Sequence, residues 1–493
     1  MTPQLHVRPD PDSFESLARD WPLVPVWAEL LADVSTPVGL FPSLTGVGPG
    51  ILLESVERSE RWGRYSFVAG DPAATLVADA SGLRVEDVRR ELSIDVRSDL
   101  SARAGLIAAA RSIRAPRLPD LPPLTGGLMG YLAYEAASML DGLPVPSAET
   151  APCPPIGLLA IDRAVVFDHW RQRLILVAHV PGTDRDGGVA ALEELAERVA
   201  GAATPPLASV VPDTPVGPGV ANLSDDAYRK IVADFQEHIL RGDIYQAVPS
   251  RRLSFDVADD GSSIYRRLRV SNPAPYMFFL RMLGMELAGS SPEPLVRVEG
   301  RRVSTRPIAG TRPRGRTEVR DRLLEHELLA DPKEQAEHAM LVDLARNDLG
   351  RVCVPSSVRP TELMQVERFS KVMHIVSTVE GDLRDDLHPL DALAATFPAG
   401  TVTGAPKRRA MELIAEREPT ARGPYAGAVG YLTFAGDLDF CITIRTVVVA
   451  DGAARVQAGA GVVADSDPDA ELAETMAKAA ALLPALGREE ANP

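Results

Sequence analysis

Residues 428–461 read AVGYLTFAGDLDFCITIRTVVVADGAARVQAGAG, a stretch in which strand-like runs follow one another with short breaks. Such runs are bounded by turn-forming residues and are typical of strands. Five of them occur in the C-terminal half, and they cover residues 244–257, 277–287, 428–434, 440–449 and 455–459. Helix-like segments lie among these runs but do not alternate with them regularly. A doubly wound parallel sheet requires that alternation, so the sequence favours an α+β fold.

The composition is that of a globular protein with a sizeable core. The chain has 493 residues, of which 45% are apolar and 24% are charged. This length suggests about three domain-sized units, or about two large ones. Lys and Arg number 52 against 68 Asp and Glu, so the formal net charge is −16. No apolar run approaches the ~18 residues of a membrane helix, and an acidic chain without long basic runs is not expected to bind nucleic acid or a membrane.

Cysteine usage and the first residues indicate a reducing compartment. Cys153, Cys353 and Cys441 lie far apart, without a C-x-x-C pair. The sequence therefore predicts neither a disulfide framework nor a zinc knuckle. Residues 1–12 contain no apolar stretch of the kind found in a secretory signal. We expect a cytoplasmic protein.

A proline-rich segment divides the chain. Five prolines occur between residues 204 and 219. They remove amide donors and fix φ, so neither helix nor sheet is expected there. We predict an N-terminal region over residues 15–203, a linker over residues 204–219 and a C-terminal region over residues 220–486.

Two pairs of carboxylates are predicted at helix N-termini. Asp331 and Asp467 are candidate N-caps, each followed by a proline that suits the first helical position. Each helix then carries two acidic residues on one face, and these are Glu334, Glu337, Glu471 and Glu474. Together they offer oxygen ligands for a hard cation such as Mg²⁺. The alternative is that these acids only complement the helix dipoles.

Three further patterns have an ordinary structural explanation besides a functional one. Residues 306–316 contain four arginines, which suits a solvated loop as well as an anion site. His374 lies in an apolar run, where a hydrogen-bonded core histidine is the alternative to a catalytic one. Residues 400–407 are not a phosphate loop, because Ala405 and Pro406 separate the glycine from the lysine.

Taken together and in order, a set of motifs identifies a known family. The chain resembles component I of anthranilate synthase, the chorismate-using subunit of tryptophan biosynthesis, over most of its length. The motifs are LLES (52–55), RY (64–65), GDIYQAVPS (242–250), NPAPYMFF (272–279), SPE (291–293), RPIAGTR (306–312), EQAEH (334–338), LVDL (341–344), RND (346–348), GTVTGAPK (400–407), FCITIR (440–445) and GAG (459–461), followed by the final Glu-x-x-Glu.

The resemblance implies an architecture and a substrate. We expect two large, roughly orthogonal β-sheets wrapped by helices, with an N-terminal regulatory and partner-binding region interleaved with a C-terminal chorismate-binding catalytic region. The implied cofactor is Mg²⁺, bound by Glu337 and Glu474, while Glu334 and Glu471 hold its waters or adjust its ligands. The residues expected to bind the substrate carboxylates are Gly310, Thr311, Tyr425, Arg445, Gly459, Ala460 and Gly461.

The resemblance also assigns residues to chemistry. The implied reaction converts chorismate and ammonia to anthranilate and pyruvate through 2-amino-2-deoxyisochorismate, the first committed step of tryptophan biosynthesis. Glu293 stands at the position of the acid that protonates the leaving C4 hydroxyl. His374 and Thr401 stand at positions linked to the loss of pyruvate. Gln246 replaces the lysine base of water-adding relatives, so ammonia is the expected nucleophile.

Ammonia must come from a second protein. No cysteine of the chain lies in the Gly-x-Cys-x-Gly nucleophile motif of a glutaminase. The resemblance implies a glutamine amidotransferase partner, component II, in a heterotetramer, and feedback inhibition by L-tryptophan. The positions that match the tryptophan pocket are Glu54, Ser55, Arg64, Tyr65, Pro275, Tyr276, Met277, Tyr431 and Cys441, which offer hydrogen-bond acceptors, a positive group and an apolar slot.

Two other functions remain open. Aminodeoxychorismate synthase component I of folate synthesis shares nearly every motif, but it typically carries a nucleophilic lysine where this chain has Ala309. The second alternative is a catalytically silent, tryptophan-binding regulatory subunit. The chain retains His374, Arg445 and three acidic residues expected to act in the reaction, which are Glu293, Glu337 and Glu474. A silent subunit has no need of this set, so its presence argues against that alternative.

Overall fold

The computed structural model describes residues 4–33, 35–55, 63–86, 88–89, 92–97, 99–146, 151–203, 209–210, 216–368 and 372–488. Most of the proline-rich segment, over residues 204–208 and 211–215, lies outside the described residues. The predicted boundaries at residues 203 and 220 therefore stay a prediction. No helix in the described part of the chain is long and apolar enough to cross a membrane.

Twelve α-helices occur in the described residues. They are α1 (Pro11–Ala18), α2 (Pro37–Thr45), α3 (Ala102–Ser112), α4 (Ala136–Asp141), α5 (Arg185–Ala200), α6 (Asp225–Leu240), α7 (Gly261–Ser271), α8 (Glu318–Ala330), α9 (Pro332–Gly350), α10 (Pro389–Thr396), α11 (Lys407–Arg417) and α12 (Pro468–Ala480). The predicted N-caps are confirmed at α9, where Asp331 accepts from Lys333 and Glu334, and at α12, where Asp467 accepts from Ala470.

The same residues form 24 strands. They are β1 (Leu23–Leu31), β2 (Gly50–Glu54), β3 (Tyr65–Gly70), β4 (Ala74–Asp79), β5 (Gly82–Glu86), β6 (Gly127–Leu132), β7 (Ile156–Ile161), β8 (Arg163–Asp168), β9 (Arg173–Pro181), β10 (Val220–Ala221), β11 (Gln246–Ala247), β12 (Ser250–Asp256), β13 (Tyr276–Met282), β14 (Met285–Ser291), β15 (Pro294–Glu299), β16 (Arg302–Thr305), β17 (Ile308–Pro313), β18 (Arg359–Arg368), β19 (Val372–Asp382), β20 (Gly404–Ala405), β21 (Ala428–Thr433), β22 (Leu438–Ile442), β23 (Thr446–Ala450) and β24 (Ala453–Gly459).

Two large antiparallel sheets contain nearly all of these strands. The first sheet has the order β1-β9-β8-β3-β2-β13-β14-β23-β24-β12-β10, and the second has the order β17-β19-β16-β15-β22-β21-β6-β7-β4-β5, with β18 paired to β19. Strands from both sides of residues 204–219 contribute to each sheet. This mixed architecture confirms the expected α+β class.

Three of the predicted strand runs are interrupted. Residues 277–287 belong to a hairpin of β13 and β14, which turns at Leu283 and Gly284 with positive φ values of 52° and 74°. Residues 440–449 contain the end of β22 and most of β23, which lie in different sheets. Residues 244–257 divide into β11 and β12. Residues 248–249 and 443–445 and Leu283 are buried or half-buried, and only Gly284 among the connecting residues is exposed. Local periodicity therefore reveals neither the hairpin turn nor the changes of sheet.

The core has a layer between the sheets and a layer outside each one. Phe278, Leu280 and Leu287 of the first sheet pack with Met129 and Val429 of the second. Helices α2, α5 and α7 cover the outer face of the first sheet. Helices α3, α4, α9 and α10 contribute to the cluster outside the second sheet. The connection from β14 to β15 crosses from the first sheet to the second, and it places polar residues at the boundary between them.

Candidate active site

Glu293 lies in the crossing between β14 and β15. Its side chain is 8% exposed, and this burial raises the pKa of the carboxyl to about 7. The hydroxyl of Thr401, in the 3-10 turn Gly400–Val402, donates a hydrogen bond of 2.9 Å to Oε1. The positive charges of Lys478 and Arg445 also favour the ionised form. Glu293 and Thr401 border an open cleft whose other lining residues, such as Leu344 and Asp348, are not predicted site residues. With this pKa, Glu293 can exchange a proton near neutral pH.

His374 projects from β19 opposite Thr311 of β17. The register shifts between Ala309 and Thr311, and Gly310 adopts a φ of 65° at this bulge. Nδ1 of His374 lies 3.0 Å from the carbonyl oxygen of Gly310 and 3.1 Å from the Thr311 hydroxyl. A carbonyl only accepts, so this contact assigns the proton to Nδ1 and the lone pair to Nε2. Burial lowers the pKa of His374, which favours the neutral imidazole.

The four predicted acidic residues meet where α9 and α12 begin. Burial raises the pKa of Glu337, and the charges of Glu334 and Glu474 raise it further. Burial likewise raises the pKa of Glu471, with a smaller contribution from Glu474. The amide of Gln246 donates to Oε1 of Glu337 over 3.4 Å. Carboxylates from two helices therefore share one electrostatic environment.

These carboxylates fit a hard cation. In the described residues, no group of three or more His, Cys, Asp or Glu side chains is arranged to hold a metal ion as it stands. The shared negative charge nonetheless favours a cation, and Oε2 of Glu471 is buried without a hydrogen-bond partner. Mg²⁺ needs only one or two carboxylates and completes its shell with water or substrate oxygens. The ligand assignment remains a prediction.

Two of the acidic residues already have basic neighbours. Arg312 donates to Glu334 over 2.9 Å and to Asp331 over 2.8 Å. Lys478 lies 2.7 Å from Glu474. Arg312 belongs to the arginine-rich segment, residues 306–316, where Arg306 and Arg314 also pair with carboxylates. These ion pairs argue against the anion-site interpretation of that segment.

Arg445 and Tyr425 form a second polar corner. Arg445 has a φ of 49°, a conformation that costs energy for a residue with a Cβ. Arg445 is half-buried and within electrostatic range of Glu293. Burial raises the pKa of Tyr425 to about 12, and its hydroxyl hydrogen-bonds the backbone of Gly459. A Cβ on Gly461 would lie 2.7 Å from Nε2 of Gln246, so the backbone of residues 459–461, including Ala460, passes close to the acidic group.

The residues matched to a tryptophan pocket are divided between the space between the two sheets and the outer face of the first sheet. Tyr276, Tyr431 and Cys441 belong to the cluster between the sheets. The Tyr276 hydroxyl donates to Oδ1 of Asp439 over 3.0 Å. Burial raises the pKa of Asp439 to about 6.

Glu54 and Met277 point to the opposite face. They are directly paired across β2 and β13, and Met277 packs in the cluster outside the first sheet. The hydroxyl of Tyr265 and the guanidinium of Arg269, both on α7, donate to Glu54 over 2.7 and 2.9 Å. Pro275 precedes β13. A ligand between the sheets would therefore meet only the backbone of Glu54 and Met277.

Unsatisfied polar atoms lie near this predicted pocket. The Ser55 hydroxyl and Nδ2 of Asn272 are buried without a hydrogen-bond partner. Arg64 is held by Asp168 through two bonds of 3.1 and 2.7 Å, and its guanidinium lies 4.7 Å from the centre of the Tyr65 ring. The carboxylate of Asp168 already neutralises Arg64. The pocket assignment stays a prediction.

Sequence reasoning missed several polar residues that support these sites. Ser466 donates to Glu471 over 2.6 Å, and Asp439 lies beside Tyr276. Arg422, fully buried, pairs with Glu418 at 2.7 Å. Asp439 could have been recognised from the sequence, because it is a charged residue inside an apolar strand. Arg422 lies three residues before Tyr425, but nothing local distinguishes it from a surface arginine.

Comparison with known proteins places this geometry in a family. A model of the chorismate binding enzymes matches residues 56–484. The chain therefore belongs to the family of chorismate-binding enzymes. Within this family it is similar to anthranilate synthase component 1 from Streptomyces coelicolor, with 46% identity over 97% of this chain and 91% of the relative. The protein of the same name from Acetivibrio thermocellus is 41% identical over 98% of this chain and 99% of the relative.

Solved structures agree with the fold. Anthranilate synthase component I from Streptococcus pneumoniae has a TM-score of 0.73 and 32% identity, and the match covers 92% of this chain and 99% of that one. The menaquinone-specific isochorismate synthase from Escherichia coli has a TM-score of 0.68 at 20% identity, over 96% of this chain and 98% of that one. The second comparison supports the architecture alone.

Proposed function

We propose that this chain is the large subunit of an anthranilate synthase, which converts chorismate and ammonia to anthranilate and pyruvate in tryptophan biosynthesis. The observation that carries the proposal is Glu293, a buried carboxyl with a pKa of about 7 at the mouth of a cleft. Its environment suits a group that must be protonated before the reaction and ionised after it. The full-length similarity to anthranilate synthase component 1 supports the same conclusion.

In the first step, ammonia adds at C2 of chorismate and the C4 hydroxyl departs. Hydroxide is a poor leaving group, so Glu293 donates its proton and the oxygen leaves as water. The hydrogen bond from Thr401 stabilises the carboxylate that this transfer creates. Arg445 and Lys478 stabilise the same negative charge. The product of this step is 2-amino-2-deoxyisochorismate.

In the second step, a base removes the C2 proton, the C–H electrons form a ring double bond, and the bond from C3 to the enolpyruvyl oxygen breaks. The departing enolpyruvate takes up a proton and becomes pyruvate, and the ring becomes aromatic. Neutral His374 is the proposed base, because its Nδ1 proton is directed at Gly310 and its lone pair lies on Nε2. The lowered pKa of His374 keeps the imidazole available near neutral pH. Thr401, beside Glu293, is proposed to assist this elimination.

Substrate orientation requires a group for each carboxylate. Arg445, Tyr425 and the backbone at residues 459–461 are proposed to bind the enolpyruvyl carboxylate, since a guanidinium can bind a carboxylate through two hydrogen bonds. Gly310 and Thr311 lie on the side proposed for the ring carboxylate. Glu337 and Glu474 would hold Mg²⁺, assisted by Glu334 and Glu471; when bound, the metal neutralises the ring carboxylate and fixes its position.

Ammonia is proposed to come from a glutamine amidotransferase, component II, in a heterotetramer. Gln246, close to Glu337, lacks a basic nitrogen and cannot remove a proton from water. An amine nucleophile needs no such base. The name component 1 of the relatives is consistent with a second subunit, and a cytoplasmic enzyme is the corresponding expectation for localisation.

The runner-up is aminodeoxychorismate synthase component I of folate synthesis. Ala309 disfavours it, because alanine cannot form a covalent adduct with the ring as a lysine can. Ala309 lies on β17 opposite Ile375, next to the Gly310 bulge. The site therefore offers no nucleophile at the position that distinguishes the two activities, and direct amination at C2 is favoured.

Feedback inhibition by L-tryptophan is the regulatory part of the proposal. The unpaired Ser55 hydroxyl and the half-buried Tyr276 and Tyr431 offer a hydrogen-bonding group and aromatic walls between the sheets. Inhibition requires that tryptophan bind one conformational state of the enzyme more tightly than another.

The test uses the purified chain without a partner. Chorismate, Mg²⁺ and a high concentration of ammonium salt are supplied at mildly alkaline pH, and the products are separated by chromatography with and without tryptophan. We expect anthranilate and pyruvate in equal amounts, both reduced by tryptophan. Accumulation of aminodeoxychorismate would assign the chain to folate synthesis, and tryptophan binding without any product would favour the silent regulatory alternative.

A further inference from the structure

A second cavity lies against strands β12, β23 and β24 of the first sheet. Tyr425, whose hydroxyl hydrogen-bonds the backbone of Gly459 in the proposed chorismate site, is one of its lining residues. The interior of the cavity is small, because the centre of a water-sized molecule has only about 20 Å³ in which to move. Val448, which packs against the apolar cluster between the sheets, contributes to one wall. Polar and proline residues complete the lining, chiefly Pro152, Arg252, Tyr425, Thr443, Arg455 and Gln457.

Two arginines of adjacent strands converge on this cavity. Arg252 of β12 is paired with Gln457 of β24, and Arg455 lies two residues away on the same face of β24. Diagonal neighbours of this kind are within reach of long side chains. Burial lowers the pKa of Arg252, and the charge of Arg455 lowers it further. No carboxylate among the described residues forms an ion pair with either arginine.

The described carboxylates near this cavity have closer partners than Arg252 and Arg455. Arg422 is neutralised by Glu418 through bonds of 2.7 and 2.9 Å. Glu135 is directed at the backbone N–H of Arg422, 2.8 Å away. Burial raises the pKa of both Tyr425 and Cys153 to about 12, so these two groups are neutral near pH 7. Among the described residues, the two arginines of the cavity therefore lack an ion-paired carboxylate of their own, although the charge of Glu418 favours the charged form of Arg252.

Unused hydrogen-bond donors line the same space. The Thr443 side chain is fully buried, and its hydroxyl has no hydrogen-bond partner. Nε of Arg252 is also buried without a partner. Leaving a buried donor unpaired is costly, and a charged donor more so. Both residues line the cavity, so an anion bound there could supply the acceptors that these donors lack.

We propose that this cavity binds a small oxyanion between Arg252 and Arg455. Two guanidinium groups offer charge-assisted hydrogen bonds to oxygen, and the Thr443 hydroxyl donates a further bond. The limited space restricts the ligand to an ion of about the size of phosphate or a short carboxylate. The site shares Tyr425 with the proposed chorismate pocket, but Arg252, Arg455 and Thr443 are not among the residues proposed to bind chorismate. The inference therefore does not depend on the function proposed for that pocket.

The test is calorimetric titration of the full chain with inorganic phosphate, and separately with acetate, in a low-chloride buffer without chorismate or Mg²⁺. We expect one saturable site per chain for at least one of the two anions. Arg252→Gln and Arg455→Gln should each weaken binding by about tenfold or more, because a hydrogen bond to a charged group is lost. Arg19→Gln, at an exposed position, is the matched control and should bind as the wild type does.

Thermal melting distinguishes a variant that has lost anion binding from one that has lost its fold. Each glutamine variant removes one member of a repelling pair, so its melting temperature in anion-free buffer should not fall. Added phosphate or acetate should raise the melting temperature of the wild type and of Arg19→Gln more than that of the two cavity variants. Saturable binding of neither anion, or equal affinity in the wild type and both cavity variants, would overturn the proposal. Binding of only one anion would identify the class of ligand.

Discussion

The hydroxyl of Thr401 donates a 2.9 Å hydrogen bond to Oε1 of Glu293, and it joins two residues that are 108 positions apart in the chain. This bond stabilises the ionised carboxylate, whereas burial stabilises the protonated acid. Burial is the larger effect, so the pKa of Glu293 rises to about 7 instead of falling. The hydrogen bond keeps the carboxyl from becoming a permanently protonated, inert acid.

Removal of this bond should shift the pH dependence of the reaction. In Thr401→Val the ionised form of Glu293 loses a donor, so its pKa rises and the acid stays protonated to higher pH. We expect the alkaline limb of kcat to move to higher pH in assays at constant free ammonia. Thr378→Val removes another hydroxyl–carboxylate bond, of 2.8 Å to Glu362, and should leave the profile unchanged. An unshifted limb in Thr401→Val would contradict the role of Glu293 as the acid.

Glu293→Gln should lower the activity of the enzyme but make its stability less sensitive to rising pH. Without a proton to donate, kcat should fall by about 10²–10⁴-fold. The folded state of the wild type binds this proton more tightly than the unfolded state does, so its stability declines as pH rises from 4.5 to about 7. The variant lacks this decline. Between pH 4.5 and about 7, the free energy of unfolding of the variant should therefore rise by up to about 3 kcal/mol relative to that of the wild type.

Urea unfolding at acid and at mildly alkaline pH measures this effect. Glu15→Gln, at an exposed position of α1, should follow the wild type at both pH values. A stability difference between Glu293→Gln and wild type that is the same at both pH values would refute the raised pKa.

The two acidic helices can be tested through Glu474. Glu474→Gln removes a proposed oxygen ligand, and we expect the Mg²⁺ concentration for half-maximal rate to rise at least about tenfold. The fold should be retained, because Glu474 is about half exposed and its bond to Lys478 lies on the helix surface. Glu237→Gln breaks a comparable pair four residues apart, with Arg241 at 2.8 Å, and should leave the Mg²⁺ titration unaltered. Unchanged turnover of Glu474→Gln at limiting Mg²⁺ would defeat the ligand assignment.

Local signals explain which elements could be predicted from the sequence. Asp331 and Asp467 cap the helices predicted for them, because capping depends on contacts within four residues. The division of residues 440–449 between two sheets depends on partners elsewhere: Phe440 pairs with Val296, and Val447 with Ala288. Hydrophobic periodicity describes which faces are buried but not which strand lies alongside.

The candidate site shows the same limit. The motifs identified Glu293, His374 and Arg445, and the charge of Arg445 acts on both of the other side chains. They did not reveal the alternation that turns the side chains of Glu54 and Met277 away from Tyr276. They also missed the convergence of Arg252 and Arg455, because that arrangement requires the register of β12 against β24.

The predicted regulatory pocket can be tested by filling it. Ser55→Phe places a large ring where the small Ser55 hydroxyl is buried, and overpacking of this kind costs about 1–3 kcal/mol. If tryptophan uses this space, the concentration for half-inhibition should rise by roughly 5–150-fold, with the maximal rate retained. Ser356→Phe, at an exposed position, should be inhibited as the wild type is. Equal inhibition of the wild type and both variants would exclude this pocket.

The buried pair of Arg422 and Glu418 should be essential for stability. Arg422 also donates to the carbonyl oxygens of Val402 and Val248 over 2.8 and 2.7 Å, so it connects the turn that carries Thr401 to the segment after Gln246. Arg422→Met leaves the Glu418 carboxylate buried without its cation, and such a loss destabilises by about 3–5 kcal/mol.

Glu418→Gln in the same chain should recover part of that loss, because the remaining charge is removed. Urea unfolding of the two single variants and the double variant gives the coupling energy as a double-mutant cycle. Arg241→Met breaks an exposed pair and should cost less than about 1 kcal/mol. If Arg422→Met costs no more than Arg241→Met, the pair is not a structural support of the site. A double variant as unstable as the sum of the singles would show that Arg422 acts through Val402 and Val248 and not through Glu418.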